Sequence, residues 1–257
     1  MALPLSVSAL RGLLKELRSE DRKAVVVGGA HELARVLERE LARGGDPAAV
    51  RVGDPEGAAV YVHLVAGSTG DEAALKRARR ARVPIVAVQS GQSSVPYVLP
   101  TDVVRVGPGE GLPVEAIARR IAAVLGEDAA PLAGRLPVLR GPVCERLVES
   151  FARKNGIIAA AVFVPGVDLP VLTLNQVRML LRLDQAYGLE LDPRERIPEV
   201  VAVVGAGLGL RAVARELLDL LPVAGWAVKG AVAYAGTRAL GEAAILRLEA
   251  VVPGRHS

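Results

Sequence analysis

Short apolar runs alternate with amphipathic stretches along the first half of the chain. The apolar runs predict β-strands over residues 23–28, 48–52, 58–65, 84–88 and 102–106. The amphipathic stretches predict helices over residues 31–43, 71–81 and 113–125. Strands that alternate with helices are typical of a parallel sheet covered by helices on both faces. The pattern therefore predicts an α/β domain over residues 23–128.

Helical periodicity dominates the rest of the chain. Before the first strand, Leu10, Leu13 and Leu17 predict a lead-in helix within residues 1–22, which we expect to dock on the α/β domain. Residues 126–137, which contain two prolines, predict a domain boundary. Beyond it the pattern predicts an all-helical domain over residues 138–250. Its helices are expected over 138–155, 173–187, 192–221 and 222–248.

Composition limits the classes of function. At 257 residues the chain is long enough for two domains of ordinary size, and an apolar fraction of 51% supplies their cores. Aromatic residues make up 3% of the chain, too few for the stacking surfaces on which single-strand nucleic-acid binding depends. The net charge is +4, with acidic and basic residues interleaved in most segments. We therefore expect no nucleic-acid partner.

The densest run of cations is Lys76-Arg77-Ala78-Arg79-Arg80-Ala81-Arg82, at the end of a predicted helix. One interpretation is a surface for an anionic partner or for lipid headgroups. The other is a solvated helix end, where cations interact favourably with the helix dipole. The shortness of the run and the acidic residues that precede it favour the second interpretation.

Cysteine and histidine predict no metal or disulfide chemistry. The single cysteine, Cys144, recurs at helical spacing with apolar residues and is predicted to lie in the core. His31, His63 and His256 are far apart in the sequence, so we predict no metal site and no cofactor.

The N-terminus lacks the basic segment and long apolar run of a signal peptide. The expected location is the cytoplasm, with a peripheral position on the inner face of the membrane as the alternative.

The first predicted strand runs directly into a glycine turn and a helix. A phosphate-binding loop here would need G-x-x-x-x-G-K-[ST], with a lysine for the phosphates and a hydroxyl for magnesium. Counted from Gly28, those positions hold Leu33, Ala34 and Arg35, so these side chains are absent. Amides at a helix start bind anions even without a lysine, which makes candidates of Gly28, Gly29, Ala30 and His31. The alternative is a tight turn that requires glycine for steric reasons.

Residues 23–125 resemble a shortened Era-type GTPase domain, with a P-loop GTPase-like order of elements. Asp54-Pro55-Glu56-Gly57 occupies the place of the family's D-x-x-G segment, whose aspartate helps to hold magnesium. The guanine-reading N-K-x-D motif is replaced by Gln89-Ser90-Gly91-Gln92, which has no aspartate. The resemblance implies a GTPase-like fold without the phosphate lysine or the guanine-specifying aspartate. Asp54 is a magnesium-ligand candidate or an Asp-Pro turn residue, and we favour the turn.

Residues 138–245 resemble a bacterial domain of unknown function, number 697. The likeness rests on Phe-Ala-Arg-Lys-Asn-Gly at 151–156, on Phe-Val-Pro-Gly-Val-Asp-Leu-Pro at 163–170, and on the segments 174–179 and 233–242. That domain commonly follows a GTPase-like domain and often occurs in membrane-associated proteins. It has no established reaction, so the resemblance implies no catalytic residues.

The helical half carries polar side chains that need partners wherever they are buried. They are Asp168, Asn175, Gln176, Arg178, Arg211, Arg215, Lys229, Arg238 and Glu242. Several lie three or four residues apart, which places them on one helix face. The favoured interpretation is an internal network of ion pairs and hydrogen bonds that holds the helices in register. The alternative is a cationic pocket for a phosphate or a lipid headgroup.

Together these patterns predict a non-catalytic pseudo-GTPase joined to a helical interaction domain, with a regulatory or scaffolding role. The expected partner is an unidentified protein, with a membrane surface and a second copy of the chain as alternatives. Two other functions stay open. The first is a nucleotide hydrolase with atypical ligands. The second is an integral membrane component, against which the charges that interrupt every apolar run argue.

Overall fold

The structure, a computed structural model, describes residues 12, 13, 15, 17, 23–92, 94–107, 109–161, 169–189 and 225–252. These residues divide into two compact units. The α/β unit contains the described residues of 23–146 together with 186–188. The helical unit contains the described residues of 12–17, 147–185 and 189–252.

Five parallel strands form the centre of the α/β unit. In chain order they are β1 (Val25–Gly29), β2 (Val50–Val52), β3 (Val60–Leu64), β4 (Ile85–Gln89) and β5 (Val103–Arg105). They lie in the order β2-β1-β3-β4-β5, and each neighbouring pair is parallel. Their valine and isoleucine side chains are largely buried, as expected for a sheet covered on both faces. The predicted parallel sheet is confirmed.

Helices separate and follow the strands. They are α1 (His31–Ala42), α2 (Thr69–Arg80), α3 (Val114–Leu125), α4 (Ala130–Arg135), α5 (Pro137–Ala161), α6 (Leu169–Ala186) and α7 (Gly225–Val251). Two helix bounds differ from the sequence prediction by four residues or more. Helix α5 continues past residue 155, through Gly156, and α6 begins four residues before 173. Pro170 does not interrupt α6 because it lies in the first turn, where proline is tolerated.

The two faces of the sheet are covered by different elements. Val26, Tyr61 and Ile85 point to one face, where they pack in a cluster with three residues of α2, namely Ala74, Leu75 and Ala78. Helix α1 contacts β1 and β2, α3 contacts β4 and β5, and these two helices touch each other. Because side chains alternate along a strand, α1 and α3 pack against the face that carries the other strand residues. The prediction of helices on both faces is confirmed.

The connection from β2 to β3 is unusually short. Its residues, 53–59, are all described and contain no helix. A crossover between parallel strands usually takes a dozen or more residues and a helix. Backbone bonds hold this one against the sheet at both ends, because the Gly53 amide donates to the Val27 carbonyl oxygen (3.0 Å) and the Ala59 amide to that of Ala24 (2.9 Å). Ala58 of this connection lies in the same core cluster as Val26 and α2, so the connection contributes to the cover of that face.

Helical structure fills most of the interval predicted as a domain boundary, residues 126–137. A short 3-10 helix spans Gly126–Ala129 and leads into α4. The Arg135 guanidinium binds the Asp46 carboxylate through Nε (3.0 Å) and Nη2 (2.9 Å), and the Asp46 amide donates to the Arg135 carbonyl oxygen (2.9 Å). These bonds fix the interval to the α/β unit.

The helical unit contains close contacts between α5 and α7. A Cβ atom on Gly156 would lie 3.1 Å from the Gly230 carbonyl oxygen, and one on Gly230 would lie 2.9 Å from that of Gly156. Only glycine allows the two backbones this approach, which explains why α5 tolerates Gly156 inside the helix. The helix predicted over 192–221 lies outside the described residues. Within the part of the chain that the structure describes, no helix has the length and apolarity to cross a membrane.

The lead-in segment is described only at residues 12, 13, 15 and 17, which are helical. Leu13 and Leu17 are buried, and the Leu17 carbonyl oxygen accepts a bond from Gln185 Nε2 of α6 (3.0 Å). We expected this segment to dock on the α/β domain, but the described contact is with the helical unit. The apolar spacing predicted a buried face correctly and carried no information about what would bury it. Cys144 is buried, which confirms the prediction of a core residue.

Candidate functional site

The predicted phosphate-binding turn is tight. Strand β1 ends at Gly29 and α1 begins at His31, so Ala30 alone joins them. A Cβ atom on Gly28 would overlap the hydroxyl of Tyr61, and one on Gly29 would overlap the carbonyl oxygen of Leu64. Both glycines are therefore required by the close approach of strand β3. This geometry corresponds to the steric interpretation of the turn.

Two polar groups of this turn have partners inside the protein. The Ala30 amide donates to the Leu64 carbonyl oxygen (3.0 Å), and His31 Nε2 accepts a bond from Arg35 Nε (3.2 Å). Glu32 places a carboxylate in the first turn of α1, where it occupies the favourable position for negative charge. An anion at this helix start would have to compete with that carboxylate.

Asp54 acts as a turn residue. Its Oδ1 accepts a bond from the Glu56 amide (3.0 Å), which is the side-chain bond of an Asx turn. Its Oδ2 lies 3.3 Å from Arg77 Nε, and both side chains are more than half exposed. The carboxylate is thus engaged by a backbone amide and a cation. Among the described residues, no group of three or more histidine, cysteine or acidic side chains is arranged to hold a metal ion.

A buried polar network lies at the carboxyl end of β3. The Tyr61 hydroxyl is 3.0 Å from His63 Nδ1, and His63 Nε2 is 3.0 Å from Asp71 Oδ1. Asp71 Oδ2 accepts bonds from the backbone amides of Ala66 and Ser68, each at 3.0 Å. His63 is 1% exposed and Asp71 8%. Three side chains thus join β3 to the first turn of α2.

This network lies beside the place where an open α/β sheet binds ligands. The chain leaves β1 toward β2 on one side and returns to β3 on the other, so the crevice at the strand-order reversal lies between β1 and β3. His63 pairs in register with Gly28 across these two strands. The network therefore lies beside this crevice, within the ladder that joins β1 to β3.

The protonation states in the network follow from its surroundings. Burial alone would raise the pKa of Asp71, but bonds from the Ser68 amide, His63 and the Ala66 amide lower it below its usual 3.8. Burial lowers the pKa of His63 below 6.5, despite the opposing effect of Asp71. A neutral His63 beside an ionised Asp71 donates from Nε2, so its Nδ1 accepts the Tyr61 proton; this assigns the tautomer from the network.

We expect the free energy of unfolding to fall as the pH drops below about 6.5. Below that value the unfolded chain binds a proton at His63 that the folded chain refuses until its lowered pKa is reached. The free energy of unfolding falls further below pH 3.8, because the unfolded chain then binds a proton at Asp71 more readily than the folded chain does. Urea denaturation at successive pH values measures both. His63→Gln should remove the first loss, and the exposed His31→Gln should leave it unchanged. An identical acid slope in the His63 variant would refute the assignment.

The same network predicts an alkaline limit. Burial, the largest cause, raises the pKa of the Tyr61 hydroxyl from 10.0 to about 12. A pKa raised by folding contributes stability that is complete below pH 10 and is lost as the pH rises toward 12. Tyr61→Phe should flatten this limb in the same pH series.

A second buried network connects the helices of the helical unit. Thr237 Oγ1 of α7 accepts bonds from Asn155 Nδ2 of α5 (3.0 Å) and Gln176 Nε2 of α6 (3.2 Å). Asn175 Nδ2 donates to Asn155 Oδ1 (2.9 Å). Asn155 and Thr237 are fully buried. The network fixes three helices at one level, which is the register role expected for Asn175 and Gln176.

The other polar residues singled out in this half are dispersed. Arg238 Nε binds Glu242 Oε1 (2.7 Å) on the surface of α7, where Tyr234 donates to Glu149 Oε2 (2.8 Å). Arg178 is half-buried and has a partner, whereas Lys229 forms no ion pair with a described residue. Asp168, Arg211 and Arg215 lie outside the described residues. The described members do not converge on a cationic pocket.

Sequence reasoning missed the three residues that matter most to the two networks, namely His63, Asn155 and Thr237. His63 was considered only as a metal ligand. A signal existed for its partner, because Ser68 and Asp71 have the spacing of a helix-capping pair. Asn155 and Thr237 are 82 residues apart, and no local pattern connects them.

No family model, curated protein or solved structure matches this chain. The likenesses to Era-type GTPases and to domain of unknown function 697 therefore rest on the sequence motifs alone and stay predictions.

Proposed function

We propose that this chain is a non-catalytic pseudo-GTPase. In it an α/β unit without a phosphate-binding loop is joined to a helical interaction unit with a regulatory or scaffolding role. The observation that carries the proposal is the one-residue turn between β1 and α1. Phosphoryl transfer depends on a loop that surrounds the phosphates, on positioned positive charge and on magnesium. Ala30 alone cannot surround a phosphate, and its amide is bonded to Leu64.

Two further features support the proposal. Tyr61, His63 and Asp71 form a buried, hydrogen-bonded network beside the crevice between β1 and β3, so these polar groups are already engaged within the protein. Asp54, which the GTPase resemblance places near magnesium, is engaged by the Glu56 amide and by Arg77. Each of these groups would have to exchange existing partners before it could act on a ligand.

The interaction role is supported by apolar side chains exposed on all three long helices of the helical unit. They are Ile157, Val171, Leu174, Val232, Leu246 and Val251. Contiguous exposed apolar side chains mark sites of protein interaction, and the proposed role assigns these side chains to such a site. A protein partner or a second copy of this chain fits these side chains.

Calorimetric titration with GTP and with ATP, each with and without magnesium, tests the proposal. We expect no heat of binding and no rise in the unfolding midpoint with either nucleotide. Saturable, magnesium-dependent binding would overturn the proposal in favour of a hydrolase with atypical ligands. Asp54→Ala then identifies the site: loss of binding in that variant assigns magnesium to Asp54, and unchanged binding locates the nucleotide elsewhere.

A further inference from the structure

Helix α7 packs on the rest of its unit through one face. Its buried residues, among those whose side chains are described, are Gly230, Thr237, Gly241 and Leu248. They recur at intervals of four or seven positions, which places them along one side of the helix. A Cβ atom on Gly230 would lie 3.1 Å from that of Ala160 on α5, and one on Gly241 would overlap the side chain of Val148. This side of α7 therefore lies against α5.

The opposite side of α7 is exposed and uncharged. Its residues recur at alternating intervals of four and three positions, and the six that are exposed are Val232, Gly236, Ala239, Ala243, Leu246 and Ala250. We call these six residues the α7 seam. Val232 is 39% exposed and Leu246 68%. Ala239 is two positions from the buried Thr237, which is about 200° around a helix, so the seam faces away from α5.

An uncharged exposed stripe of this length is unlike the surface of the neighbouring long helix. The exposed residues of α5 are mostly charged, namely Glu145, Arg146, Arg153 and Lys154. A surface helix usually carries charged and polar residues on the side opposite its core. The charges of α7 lie instead at the two margins of the seam, with Glu242 and Glu249 on one margin and Arg247 on the other.

The spacing of the α7 seam is that of a coiled-coil interface. Residues that alternate four and three positions apart are the a and d positions of a heptad, through which two helices interlock. The a positions hold Gly236, Ala243 and Ala250, and the d positions hold Val232, Ala239 and Leu246. The small residues among them let two helix backbones approach closely. A second helix with the same spacing therefore fits the seam.

The marginal charges are complementary to those of a second copy of α7 in parallel orientation. Glu242 takes position g and Arg247 position e. In two parallel helices, position g of one lies beside the position e that follows five residues later in the other, so Glu242 meets Arg247 of the second copy, twice by symmetry. Glu242 Oε1 already binds Arg238 Nε (2.7 Å), and a carboxylate has further acceptor positions. In an antiparallel pair the same margins meet, which would bring Glu242 and Glu249 against like charges.

We propose that the chain forms a parallel homodimer through the α7 seam. Val232, Ala239 and Leu246 pack against their own copies across a two-fold axis, and the pairs of Glu242 with Arg247 cover both margins. The acidic side chains beside the seam disfavour an anionic membrane surface in the same place. The inference rests on the interaction role proposed above, and it gives that role a surface and a partner.

Sedimentation equilibrium of the full chain tests the proposal. We expect a reversible monomer–dimer equilibrium whose dissociation constant rises by about tenfold or more in Ala239→Lys, because the seam would then bury two unpaired ammonium groups. Ala231→Lys is the matched control, since Ala231 is exposed on α7 outside the seam, and it should leave the dissociation constant unchanged. A chain that stays monomeric up to about 1 mM, or equal effects of the two substitutions, would overturn the proposal.

Exchange of the marginal charges tests the pairing. Glu242→Arg and Arg247→Glu should each raise the dissociation constant by about threefold or more, and the combined variant should restore the wild-type value. Arg247→Glu also lowers the net charge from +4, so it would strengthen association if net charge alone controlled it. Recovery that fails in the combined variant, or stronger association of Arg247→Glu, would contradict the pairing and the proposal with it.

Disulfide formation reports the orientation of the two helices. In the parallel pair Val232 lies beside its own copy, and so does Leu246. Val232→Cys and Leu246→Cys should therefore each form an intermolecular disulfide on mild oxidation. Cys144 is buried, so the wild-type chain supplies the background. A disulfide that forms only when the two variants are mixed would indicate antiparallel helices and refute the proposal.

Two other results would identify a different role for the seam or for the chain. Cosedimentation of a monomeric chain with phosphatidylcholine vesicles would replace the homodimer with a lipid surface. Nucleotide binding in the calorimetric titration would overturn the pseudo-GTPase and leave the homodimer standing, whereas a monomeric chain that binds no nucleotide would overturn the homodimer alone. The two proposals therefore fail separately.

Discussion

Gly29→Ala is expected to destabilise the α/β unit by roughly 3–5 kcal/mol, a large part of the stability of an ordinary domain. A Cβ atom at this position would overlap the Leu64 carbonyl oxygen, which is backbone and also accepts the bond from Ala30. The residue has φ +93°, so alanine adds conformational strain to the overlap. Chemical denaturation followed by circular dichroism measures the loss.

The control for this variant is Gly57→Ala. Gly57 also has positive φ (+72°), but nothing lies within 4 Å of the position of its Cβ atom. Because alanine here adds strain but no overlap, it should lower the free energy of unfolding by about 1 kcal/mol. Comparable losses of unfolding free energy in the two variants would show that β3 does not approach the turn as closely as described. The argument against a phosphate site would then weaken.

Asp71→Ala should lower the free energy of unfolding by roughly 3–4 kcal/mol. The substitution leaves the amides of Ala66 and Ser68 and the ring nitrogen of His63 without their acceptor, and hydrogen bonds to charged groups contribute about 1.5–3 kcal/mol each. The first turn of α2 also loses its carboxylate. The same denaturation measurement applies, with proteolysis of residues 65–71 as a local readout.

Two variants make this prediction specific. Asp54→Ala removes an exposed carboxylate with one amide bond and one ion pair, and it should cost no more than about 1 kcal/mol. Asp71→Asn keeps an acceptor oxygen for the two amides, and His63 can change tautomer to accept from the new amide group and donate to Tyr61. It should therefore be much milder than the alanine variant. Equal effects of Asn and Ala would mean that charge, not hydrogen bonding, holds the network together.

Local patterns in the sequence predicted the frame of the α/β unit but not its polar interior. Apolar runs such as 25–27 and 60–62 predicted strands because burial on both faces of a sheet needs continuous apolar sequence. His63 places a polar side chain in the apolar run of β3. Only the folded structure shows that His63 donates a hydrogen bond to Asp71. The pairing depends on the direction in which α2 leaves β3, which periodicity does not specify.

The helical unit shows the same division. The apolar spacing predicted α5, α6 and α7, but Gly156 and Pro170 suggested helix ends that the tertiary structure does not have. Gly156 stays helical because Gly230 approaches it closely, and Pro170 lies in a first turn. Arg82 is a third case, because its left-handed backbone departs from the usual choice of glycine and no sequence pattern indicates it.

The two units also differ in when they can form during synthesis. Only residues 53–59 separate β2 from β3, so the first three strands can pair soon after they leave the ribosome. The bond between Asn155 and Thr237 spans 82 residues. At about 5–20 residues per second, Asn155 waits roughly 4–16 s for its partner on α7. During that interval the polar side chains of α5 and α6 lack their partner on α7. We therefore expect chaperones and proteases to act on the nascent chain mainly at this stage, when the helical unit is incomplete.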